Sequence, residues 1–313
     1  MKEERFDIWE LERKVRDFIN IERNRKRILE NRDKFYQICS CLDTIQDTEY
    51  GIHSYKDKYP EKLKQDKGFL YLTTYGLLQL IFVQQDAIEN LSDAIGVMFV
   101  LPEQLKIIRD IRNRSIGHPT KKGVGKGVKS FNQILHNTLN YSGFRIWSFY
   151  SDLREREETE CDISEIINEN QKFCAQLLNI ILKKLKDDEN THRKKFMKDK
   201  LSKIFDQSSY LFEKVREGFS ESKPIEFSRG NFEDLVKKID IFDKKLNERN
   251  EGGSIDLIKE ELVYPIEKVN EYFKRNQRVD KEAAEIFVWF IQEKFKTLEQ
   301  IAKDTDEEYE TEV

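Results

Sequence analysis

Eighteen consecutive residues, Gly68 to Gln85, carry no charge in a chain whose residues are 36% charged. A stretch of that length has to be enclosed by the rest of the fold. It includes two Thr, two Tyr and three Gln, and so falls short of the roughly 20 predominantly apolar residues that cross a bilayer. The remaining reading is a central helix from about Gly68 to Gly96, apolar nearly all round near its middle.

Apolar residues recur at helical spacing almost throughout the chain. Ile8, Leu11, Val15, Phe18, Ile19, Ile28, Leu29, Phe35 and Ile38 predict one very long helix or two in line, ended by Tyr50-Gly51 and Tyr59-Pro60. Pro102 opens a short helix that stops near Gly117, where Gly117-His118-Pro119 joins a C-cap residue to a following proline. Thr120 to Ser130, rich in Gly and Lys, reads as an exposed loop. Phe131–Leu135 and Phe144–Tyr150, with Asn140-Tyr141-Ser142-Gly143 between them, predict a hairpin. Asp162 and Glu165 form a capping-box pattern ahead of a helix carrying Ile163, Ile166, Ile167, Phe173, Leu177, Leu178, Ile181 and Leu185.

Four more helix patterns follow. They run from Thr191 to Gly218, from Asn231 through Leu246, from Ile255 through Phe273 with a kink at Pro265, and from an Asp280 cap through Leu298. Asp304 to Glu312 reads as a frayed acidic tail. Only 13 Gly and 5 Pro punctuate 313 residues, which argues against β-sandwiches, barrels and disordered chains. The expected fold is predominantly all-α: a helical bundle with a small β-hairpin insertion and additional N- and C-terminal helices. The expected segments are 1–66 (long N-terminal helices), 67–190 (core with basic loop and hairpin) and 191–313 (C-terminal helices).

Net charge is −4, yet Gln104 to Ser130 holds eight basic residues and one acid. This stripe fits a polyanion partner, or a solvated helix face with a loop. Cys39, Cys41, Cys161 and Cys174 have neither disulfide-framework nor zinc spacing. The opening MKEERFDIWE lacks an apolar leader region, so a soluble, cytoplasmic chain is expected. Gly123 to Ser130 lacks the Gly-Lys-Ser/Thr of a P-loop.

Chemistry concentrates in Ile108 to Thr120, IRDIRNRSIGHPT. On a wheel of about 100° per residue, Leu105, Ile107, Ile108 and Ile111 define the apolar arc and Arg112 falls inside it. A guanidinium facing the core is costly unless it is paired or working. His118 ends the same helix, where the dipole favours imidazolium. An always-charged Arg beside a titrating His suits phosphodiester chemistry: the His moves protons and the Arg stabilises phosphorane charge. The structural alternative is an Arg neutralising a core carboxylate and a His capping a helix. Gln84, polar on the stripe of α-helical apolar residues, needs a partner, and Gln84 or Asp86 is expected to meet Arg112. His136, near the hairpin, reads as a second acid–base group or a strand residue; His192 at a helix start and His53 in a polar loop read as surface residues.

Arg112-Asn113, four residues and then His118, following a long apolar helix with Gln84-Gln85-Asp86, resembles the HEPN superfamily over roughly Gly68 to Lys186. Five residues separate Arg112 from His118, within the family range though not its shortest form, and Arg114 is the alternative arginine. The resemblance implies an α-helical bundle and a metal-independent endoribonuclease without cofactor. It further implies a homodimer over one RNA phosphate, serving prokaryotic defence or a toxin system, with an antitoxin or defence-complex protein as a further partner. On that basis His118 is the general acid or base, Arg112 the phosphorane clamp and Asn113 the orienting group. Arg109, Arg114, Lys121, Lys122, Lys126 and Lys129 would hold RNA phosphates, and Phe144, Trp147 and Tyr150 would stack on bases or pack. A catalytically inactive scaffold, or an RNA-binding subunit, is the other expectation.

Overall fold

The computed structural model describes residues 7–220, 224–274 and 279–311. The opening MKEERF and Glu312 lie outside the described residues. Within them the fold is predominantly α-helical, with one four-stranded antiparallel sheet. The chain divides into two compact units, residues 1–21 with 28–185 and residues 22–27 with 186–313. These units cut the chain differently from the three segments read in the sequence.

In the first unit, α1 (Ile8–Asn20) and α3 (Arg32–Lys58) pack with α4 (Lys67–Ile95). The expected one long helix, or two in line, is instead three: α2 (Glu22–Leu29) follows α1 in the chain and precedes α3, and Asn31 starts α3 by accepting from the Lys34 amide at 3.1 Å. Such an Asn offers the backbone an N-cap, so the chain restarts there. Tyr50-Gly51 does not end α3, which continues to Lys58. Gly51 is there for close approach, since a Cβ at that position would lie 2.3 Å from Leu80 Cδ1 on α4.

The central helix α4 forms as its sequence implies. Asp66 caps its first turn, and Gly96, at φ 81°, ends it in the left-handed conformation that glycine tolerates. Leu77, Leu78, Ile81, Ile88 and Leu91 are buried, each such side chain contributing about 1.5–3 kcal/mol. Then come α5 (Glu103–Arg112), the strands β1 (Lys122–Gly123), β2 (Lys129–Ile134), β3 (Gly143–Tyr150) and β4 (Glu157–Asp162), and α6 (Ile163–Phe196), whose residues through Leu185 belong to this unit.

The sheet order is β1-β2-β3-β4. The predicted hairpin is β2–β3, with Phe131 opposite Phe149 and Gln133 opposite Trp147. Thr120 to Ser130 is not wholly a loop, because Lys122 and Gly123 pair with Ser130 and Lys129. β4, EETECD, carries little strand signal of its own; it is recruited by β3, where Arg145 faces Glu160 and Trp147 faces Glu158. Phe144, Ile146 and Cys161 point inward to join Leu105, Ile108 and Ile111 of α5. Asp162 starts α6 by accepting from the Glu165 amide at 3.0 Å.

The second unit closes on Phe212, Phe232, Phe242, Leu262, Ile291 and Phe295, among others. Its elements are α7 (Ser208–Glu217), α8 (Ile225–Glu248), α9 (Asp256–Phe273) and α10 (Lys281–Glu310). The helix expected over Thr191–Gly218 is broken: α6 ends at Phe196, and Asp306 accepts from the Leu201 and Ser202 amides at 2.8 and 2.9 Å. α8 begins at Ile225 after Pro224, earlier than Asn231. α9 runs through Pro265. α10 continues to Glu310, so the residues from Asp304 that read as frayed are helical through that point. His192 is half-buried, not a surface residue, with Nε2 3.2 Å from the Arg249 carbonyl, and burial lowers its pKa.

Candidate active site

α5 does not end in an ordinary turn. Asn113–Gly117 forms a π-helical turn, closed by the His118 amide donating to the Asn113 carbonyl at 2.7 Å. Single π turns are rare and concentrate at functional sites. The extra residue rotates the helix end, so that Gly117 lies against the head of Arg112. A Cβ on Gly117 would fall 2.8 Å from Arg112 Nη1 and 3.2 Å from Asn113 Oδ1.

Arg112 does not meet Gln84 or Asp86. Its Nε and Nη2 donate to Gln79 Oε1 at 3.1 and 2.6 Å, and its Nη1 donates to Asn113 Oδ1 at 3.0 Å. The guanidinium carbon stands 4.5 Å from the centroid of the Phe82 ring. Arg112 therefore borders the core on an aromatic face, bonded to neutral acceptors and in contact with no carboxylate among the described residues. A guanidinium has more N–H donors than these contacts use, so the fork can still receive an anion. His118 is exposed and follows Gly117 in the chain. One turn of backbone carries all three residues: Asn113 accepts from the Arg112 head through its side chain and from the His118 amide through its carbonyl.

Gln84 and Asp86 have other tasks. Gln84 donates to Glu49 Oε2 at 3.0 Å and accepts from Asn170 Nδ2 at 2.7 Å. Gln85 donates to Asn170 Oδ1 at 3.0 Å and accepts from Arg109 Nε at 3.0 Å. Gln171 donates to Glu49 Oε1 at 2.7 Å. This satisfied network runs through α3, α4 and α6 and ends on α5, fixing the register of the helix that presents the site. Burial raises the Glu49 carboxyl pKa, against the hydrogen bonds of Gln84 and Gln171.

The six basic residues expected on phosphates separate into two sets. Arg109 is engaged by Gln85, by Asp86 at 2.8 Å and by Glu89 at 3.1 Å. Arg114 pairs with Asp110 at 2.7 Å and donates to Thr159 Oγ1 at 2.9 Å and Ser148 Oγ at 3.3 Å, tying the π turn to the sheet. Lys122 pairs with the other oxygen of Asp110. These three serve internal structure. Lys121, Lys126 and Lys129 are exposed and form no ion pair among the described residues. Ile107, placed on the apolar arc, is 51% exposed; Leu105, Ile108 and Ile111 are the buried face.

The aromatics also divide. Phe144 is in the core, so it does not face a ligand. Tyr150 donates to Glu157 Oε2 at 2.6 Å. Trp147 Nε1 donates to Glu158 Oε2 at 2.8 Å. His136 lies in the turn after β2 rather than in a strand and is stacked on Tyr71, and His53 lies within α3, 2.9 Å from Asp57, rather than in a loop.

Sequence reasoning missed Gln79, Phe82 and Gly117. A signal existed for the first two: Gln79, Phe82, Asp86 and Glu89 recur at helical spacing, three or four residues apart, and form the face of α4 that receives Arg109 and Arg112. Among the described residues no group of three or more His, Cys, Asp or Glu is placed to hold a metal ion, and no helix is long and apolar enough to cross a membrane. Comparison of the chain with family models, with curated proteins and with solved structures finds no match.

Proposed function

We propose that this protein is a metal-independent endoribonuclease of the HEPN type, acting as a homodimer in prokaryotic antiviral defence or a toxin system. The biological setting, the dimer and an antitoxin or complex partner follow from the resemblance alone. One observation carries the catalytic reading: the π turn that sets the Arg112 head against Gly117, splinted by Gln79 and Asn113, with the exposed His118 following Gly117 in the chain. His118 would take the proton of a 2′-hydroxyl, or give one to the departing 5′-oxygen. Arg112, pre-oriented and in contact with no carboxylate among the described residues, would bear on the non-bridging oxygens as charge builds on phosphorus. Asn113 keeps the fork aimed.

The test is to compare Arg112→Ala and His118→Ala with wild type for RNA cleavage, circular dichroism and melting temperature. Loss of cleavage with the fold retained in both supports the enzyme. A His118→Ala protein that cleaves like wild type sinks it. A second reading, a helical scaffold or RNA-binding subunit without catalysis, is favoured by the internal use of Arg109, Arg114 and Lys122. It predicts that Arg112→Ala costs stability and that His118→Ala changes nothing.

A further inference from the structure

Side chains along β2 and β3 alternate cleanly. Ser130, Asn132, Phe144, Ile146 and Ser148 are buried, so Lys129, Phe131, Gln133, Arg145, Trp147 and Phe149 face away from the helices. Phe131 and Phe149 are directly opposite each other and remain 41% and 37% exposed. Trp147 meets Phe149 edge-on at 6.3 Å, and the Arg156 guanidinium lies 3.8 Å over the Trp147 ring. Contiguous rings on an open sheet face are unusual in a chain this highly charged, and mark a contact surface.

Charge fixes what that surface can take. Lys126 projects from the tight turn joining β1 to β2, where it adopts φ 48° between Gly125 and Gly127. Lys129 is the next outward residue before Phe131. Neither forms an ion pair among the described residues. The opposite edge is acidic, with Glu158 and Glu160 on β4 held by Arg145. A polyanion is therefore welcome along β1 and β2 and repelled along β4.

We infer that the outer face of the sheet is a stacking platform for the bases of single-stranded RNA, with the phosphates running along Lys126 and Lys129. This inference rests on the RNA-binding part of the ribonuclease reading. Flat exposed rings accept unpaired bases, whereas a duplex keeps its base faces stacked on one another. The platform is joined to the site through β2: the Asn132 amide donates to the carbonyl of Pro119, the residue after His118, at 2.7 Å. A strand lying on Phe131 and Phe149 thus ends near the helix terminus that carries His118.

The test uses the full chain with His118→Ala to prevent cleavage, and fluorescence anisotropy with labelled oligouridine of about 12 nucleotides, a typical single-strand site length. Phe131→Leu and Phe149→Leu are each expected to weaken binding about tenfold, and Phe131→Tyr and Phe149→Tyr to leave it within about twofold, because stacking needs a ring. Lys126→Gln and Lys129→Gln should each reduce the salt dependence by about 0.7 in the log–log slope. Leucine variants that bind like the parent overturn the platform, as does tighter binding of a duplex than of the single strand. A native mass that falls in the leucine variants with RNA affinity unchanged also overturns it, because the face then joins two copies of the chain. The two readings fail separately. Cleavage by wild type with KM untouched by the leucine changes refutes stacking alone. Ring-dependent binding by a wild type that never cleaves refutes the nuclease alone.

Discussion

Gly117→Ala should inactivate the protein while leaving it folded. The new methyl would lie 2.8 Å from Arg112 Nη1, and ordinary contact is about 3.5 Å. The guanidinium, as the end of a flexible side chain, would retreat by about 0.7 Å. Moving directly away from the methyl stretches its 3.0 Å bond to Asn113 Oδ1 to about 3.3 Å, the weak edge of hydrogen-bond range. Weakening one partly exposed hydrogen bond to a charged group costs up to about 1 kcal/mol. Replacing glycine by alanine in helical backbone returns about 0.5–1 kcal/mol. The two nearly cancel, so the melting temperature should move by less than about 3 °C. Catalysis has no such compensation, because a misplacement approaching 1 Å costs about 10- to 100-fold. Initial rates of RNA cleavage beside a thermal melt provide the check. Full activity in Gly117→Ala would show that the position of the Arg112 head is irrelevant to chemistry. Unfolding in parallel with inactivation would show that Gly117 serves the fold alone.

Two glutamines on α4 should behave oppositely. Gln79→Ala removes the acceptor of Arg112 and should cost about 1 kcal/mol of stability with a larger loss of cleavage. Gln84→Ala leaves Glu49 Oε2 and Asn170 Nδ2 without their partner, while Gln171 and Gln85 keep the other ends of both groups, and should cost about 2–4 kcal/mol in denaturant unfolding; equal stabilities would contradict the network. Burial holds the Glu49 pKa above its ordinary value in the folded state, so the folded form binds that proton more tightly than the unfolded chain. Stability from this group is whole below the ordinary Glu value and declines as pH rises through the folded value. Glu49→Gln should flatten the stability–pH curve in that window, and a curve parallel to wild type would be inconsistent with the assignment. Thiol titration of the native protein at neutral pH should label Cys39 first. Burial pushes Cys41 up to about 11 and Cys161 up to about 12, so rapid native labelling of either would refute their placement.

Much of the fold was legible because its signals are local. The uncharged run of α4, its Gly96 cap, the Pro102 start of α5 and the β2–β3 hairpin follow from periodicity and turn chemistry. What was illegible is set by distant partners. Asp306 breaks the chain at Leu201 without a Gly or Pro nearby. β4 becomes a strand because β3 offers it an edge and matching charges. At the site, Arg112, Asn113 and His118 could be picked out by residue type and spacing. Helical-wheel reasoning nevertheless gave Arg112 the wrong neighbour: it places Gln84 and Arg112 on apolar faces, but the crossing of α4 with α5 decides which glutamine is reached. Charge counting also overstated the basic stripe, since sequence cannot reveal that Asp110 takes both Arg114 and Lys122.

The most direct measurement is RNA cleavage in excess EDTA by wild type and His118→Ala, with the product ends identified. The account predicts cleavage that survives chelation, leaves 2′,3′-cyclic phosphate and vanishes in the variant. Cleavage abolished by EDTA, or undiminished in His118→Ala, would contradict it.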